Sequence, residues 1–183
     1  MTPVYFSAHL VTTGLGPLFD GIGHVIVTPE DLLPVTALGL LAGLGGKAYG
    51  RKVLWVLPLA WLVGGIAGLS TGWSLPTPVA GLSFLVFGGL VALDRPLGEK
   101  VGSGLALVLG FVHGQMNGVE MSTAGIGMTG LVGTVGTLFV LVSMVAGLVV
   151  SLRRKWTRVA VRVAGSWVVA IGMLYMGWTL GQG

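Results

Sequence analysis

Polar and turn-forming residues divide this chain into seven apolar runs. The first spans Val4 to Val27, and Thr28-Pro29-Glu30-Asp31 then opens a second, shorter run that ends near Gly46. Thr28 is an N-cap candidate, with proline at the first helical position and acids in the first turn. Further runs cover 53–69, 79–93, 101–121, 128–152 and 159–180. A membrane-spanning helix needs about 20 mostly apolar residues. The pattern therefore predicts an all-α fold: one polytopic bundle of about seven transmembrane helices filling residues 1–183. Runs two and four are short, which suits little tilt, a re-entrant path or extension into the interface.

The cations refine this picture. All ten Lys and Arg lie in three places. Lys47, Arg51 and Lys52 follow run two, and Arg95 and Lys100 follow run four. Arg153, Arg154, Lys155, Arg158 and Arg162 lie after run six and in the first turn of run seven. Positive loops stay on the cytoplasmic side. Seven alternating crossings satisfy that rule with the N-terminus inside the cell and the C-terminus outside, in the inner (plasma) membrane. No Lys or Arg precedes Lys47, so the first run reads as a retained helix rather than a cleaved signal.

Composition agrees with a membrane setting. Only 9% of residues are charged, against roughly a quarter in soluble domains. The 33 glycines suit close helix contacts. Small residues recur at every fourth position at 98, 102, 106, 110, 114 and 118, and again at Gly64, Gly68 and Gly72, as in tightly packed membrane helices. The sequence pI is near 9.9, but the cations form loop clusters and not a nucleic-acid-binding patch. Absence of cysteine excludes disulfides and thiolate ligands. Lys47, Lys52, Lys100 and Lys155 sit in loops or at helix ends, which excludes a retinal-type Schiff base. No nucleotide-binding P-loop and no visible Ser-His-Asp arrangement point to an enzyme.

Ionisable residues inside a span face the bundle interior or a water-filled path. Asp20 and His24 lie one turn apart on one helix face. His113, Asn117 and Glu120 fall within an arc of about 60°. Both sets lie toward the outer ends of their helices, so these five residues are the principal candidates for a shared site. His9, Glu30 and Asp31 are secondary candidates. Imidazole, carboxylate and amide oxygen without thiolate suit a divalent ion such as nickel, cobalt or zinc. The spacing leaves a second reading open: paired polar residues that fasten helices together or dock a partner. Acids beside the histidines argue against haem, and scattered methionines argue against a copper(I) path.

The stretch Gly110-Phe111-Val112-His113-Gly114-Gln115-Met116-Asn117-Gly118-Val119-Glu120 resembles the H-G-x-x-H-G-x-E signature of the HupE/UreJ family of hydrogenase and urease accessory membrane proteins. Gly16-Pro17-Leu18-Phe19-Asp20-Gly21-Ile22-Gly23-His24 resembles that family's H-P-x-x-G-x-D-H segment. The resemblance implies a permease for nickel, or else cobalt, that supplies metalloenzyme maturation. On that reading the divalent metal is cargo and no cofactor is tightly bound. Expected partners are the lipid bilayer and a maturation system or other membrane subunits, with no nucleic acid. Asn117 stands where the signature has its second His, and Gly16 where a His precedes the proline. Asp20 and His24 are four apart rather than adjacent. Two imidazoles fewer make a harder and weaker ligand set.

Overall fold

The computed structural model describes residues 12–73, 75–76, 78–95, 97–152 and 155–181, the Lys155 side chain excepted. Seven α-helices follow one another: α1 (Pro17–Val27), α2 (Pro29–Leu44), α3 (Lys47–Thr71), α4 (Pro78–Leu93), α5 (Glu99–Thr123), α6 (Gly127–Ser151) and α7 (Lys155–Gly181). No strand occurs among the described residues. The expected all-α bundle is therefore present. Helices α3, α6 and α7 are individually long and apolar enough to cross a membrane, and α1 and α2 pass that test as a pair. Helix α4 is apolar but has only 16 residues.

The first run departs from a continuous helix. Thr12 to Gly16 are non-helical, and α1 begins at Pro17. Thr28 then takes an extended conformation between α1 and α2, and the two helices meet at 70°. Pro29 explains the break, because proline lacks an N–H and pushes the preceding residue out of the α region. Thr28 is the N-cap of α2 as the sequence indicates, but its hydroxyl makes no capping hydrogen bond. It lies instead 3.4 Å from His24 Nδ1.

Glycine sets the closest helix approaches. A Cβ on Gly114 would strike the Trp61 carbonyl, and one on Gly118 the Gly65 carbonyl. These contacts advance together along both chains, so α3 and α5 run parallel. Gly39 and Gly43 abut Val145 and Val149, so α2 and α6 are parallel as well. Along α4 and α7, Gly81 meets Met176 while Gly88 meets Gly165, an antiparallel pair. These directions fit a chain that reverses at each connection from α2 onward. The cationic connections then share one end, where Lys52 pairs with Glu99 and Arg158 with Asp94.

Helix α2 lies at the centre, in contact with all six others. Its Val35, Ala37, Leu38 and Ala42 are completely buried. Large apolar side chains such as Trp55, Leu59, Val108, Leu148 and Leu174 are exposed on the outside, while Asp31, His113, Gln115 and Asn117 are inside. An apolar exterior around a polar interior is stable where the surrounding solvent is hydrocarbon.

Candidate functional site

Asp31 is the centre of the polar interior. It sits in the first turn of α2 with 2% of its surface exposed. Its Oδ1 lies 2.9 Å from His113 Nδ1 on α5, and its Oδ2 accepts a 2.9 Å hydrogen bond from Asn117 Nδ2 one turn further along. His24 Nε2, on α1, lies 3.3 Å from the same Oδ2. It is also 3.6 Å from Glu120 Oε2 on α5. His113 Nε2 faces Ser83 Oγ of α4 at 3.2 Å, and Trp61 of α3 lies against the imidazole with ring centres 5.6 Å apart. One carboxylate thus links α1, α2 and α5, and His113 extends the network to α4.

The break at Thr28 makes this arrangement possible. In a straight helix, residues seven apart are separated by about 10 Å along the axis. The 70° bend folds α1 back so that His24 reaches Asp31 directly. Glycine does the corresponding work on α5. Gly114 and Gly118 alternate with His113 and Asn117, and their bare backbones rest on α3, which frees the polar side chains to point into the bundle.

The five principal candidates divide accordingly. His24, His113, Asn117 and Glu120 come together. Asp20 is buried, but its Oδ1 accepts hydrogen bonds from Thr13 N at 2.6 Å and Thr13 Oγ1 at 2.7 Å. That pairing occupies the carboxylate locally, and Asp31 takes the central place instead. Glu30, one residue earlier, interacts with Tyr175 of α7. His9 lies outside the described residues. Ser83 joins the site without any sequence signal, being a single hydroxyl in an apolar run.

Among the described residues, three buried polar atoms in this cluster make no hydrogen bond of normal geometry: Asn117 Oδ1, and His24 Nε2 and Glu120 Oε2, which meet only through the ion-pair contacts given above. Leaving such atoms unmade is costly in a membrane interior. Each is a lone-pair donor when the imidazole is the Nδ1–H tautomer and the carboxylate is ionised. Asp31 fixes His113 in the manner of the carboxylates that orient metal-ligating imidazoles. Among the described residues, no three His, Asp or Glu side chains already stand at the spacing of a single ion's ligands. The Glu120 side chain is 35% exposed and forms the edge of the cluster, while His24 and His113 lie behind it.

Apolar outer surface, polar core and helical topology together define a polytopic membrane protein. Its family follows from comparison: the profile of the HupE / UreJ protein family matches residues 1–175, and the chain belongs to that family. This is an accessory and transport family rather than a catalytic one, and membership supports a nickel or cobalt accessory or permease-type role in general. No individual curated protein and no solved structure matches the chain significantly.

Proposed function

We propose that this chain is a permease for a divalent transition metal, nickel first and cobalt next, that feeds metalloenzyme maturation. One observation carries the reading: lone-pair-bearing groups of His24, Asn117 and Glu120 gather around a buried carboxylate that already holds His113. Nitrogen and oxygen donors of this kind suit borderline divalent ions. Conduction needs binding strong enough for entry and weak enough for exit. A donor set that closes only around a passing ion meets that need better than a rigid cage.

In this scheme Glu120 receives the hydrated cation at the outer edge, and His24 and Asn117 Oδ1 replace its water. Asp31 supplies the negative charge that makes a dication tolerable in the interior. The membrane is the inner one, with the cationic end of the bundle in the cytoplasm and the C-terminus outside.

A second reading is favoured by the bonds among Asp31, His113, Asn117 and Ser83, which fasten α2, α4 and α5 together. A non-transporting accessory subunit needs no more than that. Nickel uptake by cells expressing the wild type or His113→Ala separates the two. The permease reading requires uptake that depends on His113, and the accessory reading requires none.

A further inference from the structure

The cationic end of the bundle carries a feature unrelated to the polar cluster. A groove of about 300 Å³ lies between α3 and α6 on the outer surface. Lys47 and Arg51 line one end, Leu54 and Val150 form its walls, and the buried Gly50, Val142 and Ala146 lie beneath it where the two helices come close.

The charges here are unbalanced. Of the six acidic residues, only Asp94 and Glu99 lie near this end of the bundle. Arg158 takes Asp94 and Lys52 takes Glu99. Lys47 and Arg51 are exposed and have no ion pair or hydrogen bond through their side chains among the described residues. From Lys47 to Leu54 is about 10 Å along the helix. Over that distance the lining changes from cationic to apolar, which is the profile of a phospholipid headgroup followed by its first methylenes. A free inorganic anion would use the cations and leave the apolar walls idle.

We propose that this groove is a binding site for an anionic phospholipid of the inner leaflet, with its phosphate at Lys47 and Arg51 and an acyl chain along Leu54 and Gly147. Basic pockets between transmembrane helices on the cytoplasmic side hold anionic headgroups in this way. The lipid would cover the small-residue contact of α3 with α6.

Native mass spectrometry of the purified chain tests this, with equimolar dioleoyl phosphatidylglycerol and dioleoyl phosphatidylcholine added. The wild type should retain one phosphatidylglycerol in preference to phosphatidylcholine. Lys47→Gln with Arg51→Gln should weaken retention by about tenfold or more, while Arg95→Gln with Lys100→Gln should not. Gly147→Leu should also weaken it, because Gly147 borders the groove and a Cβ there meets open space, so the new side chain fills the groove without disturbing the fold. Equal retention of both lipids overturns the proposal. So does full retention in either groove variant, equal loss in the Arg95/Lys100 variant, or displacement by glycerol 3-phosphate at the same concentration.

Discussion

His113 Nδ1 stands 2.9 Å from Asp31 Oδ1, although 82 residues separate them in the chain. A carboxylate accepts only, so the imidazole nitrogen donates, and Nε2 is turned toward α4. Two helices are thereby registered by one bond in a medium with no water to replace it. The same carboxylate holds Asn117, which stands where the resemblance to the family signature implies a second imidazole.

Asp31 should therefore outweigh Asp20. Asp31→Asn removes the charge from a carboxylate contacted by three side chains and should lower nickel affinity by about 10–100-fold, the usual effect of losing a carboxylate that orients a ligand. Asp20→Asn affects only the Thr13 contact and should change affinity by less than about threefold. Calorimetric titration of both purified variants decides this; a larger loss in Asp20→Asn would return Asp20 to the site.

Asn117→His should tighten nickel binding several-fold, because an imidazole donor suits nickel better than an amide oxygen. The replacement can still donate to Asp31. Unchanged affinity in Asn117→His, alongside a clear loss in Asp31→Asn, would remove position 117 from the ligand set.

The motif glycines should behave as packing residues. Gly114→Ala places a methyl against the Trp61 backbone and should destabilise the protein by about 1–3 kcal/mol. Gly104→Ala, on the same helix, meets open space and should cost nothing. Denaturation in detergent micelles compares them, and equal stabilities would contradict the close α3–α5 contact.

Orientation is testable because the chain has no cysteine of its own. Ala48→Cys should label only from the cytoplasmic side and Gly125→Cys only from outside, since both positions are exposed and lie at opposite ends of the bundle. The reverse pattern would contradict the proposed topology.

Much of this architecture is legible in the chain. Apolar run length locates the helices from α2 to α7 within a few residues, except that α3 extends back to Lys47 and α7 to Lys155. Snorkelling cations tolerate a helical backbone at the membrane edge, so charge marks the interface rather than the helix end. The α5 face of His113, Asn117 and Glu120 is visible from helical period alone. Asp31 is harder to weigh. Its position in a cap-like Thr-Pro-Glu-Asp turn reads as a first-turn acid favoured by the helix dipole. Pro29 signals a break at Thr28, but only its 70° angle, which local sequence does not fix, brings His24 onto Asp31. Asp20 shows the opposite case: good helical spacing with His24 is overridden by a local bond to Thr13 in the non-helical segment before α1.

The proposed path takes a divalent metal ion through the polar cluster and across the membrane. Proteoliposomes containing the purified chain and a trapped nickel indicator test it most directly. The wild type should show saturable nickel influx above that of protein-free vesicles, reduced by about tenfold or more in His113→Ala and in Asp31→Asn. Wild-type influx no faster than that of empty vesicles, or influx indifferent to both substitutions, would contradict it.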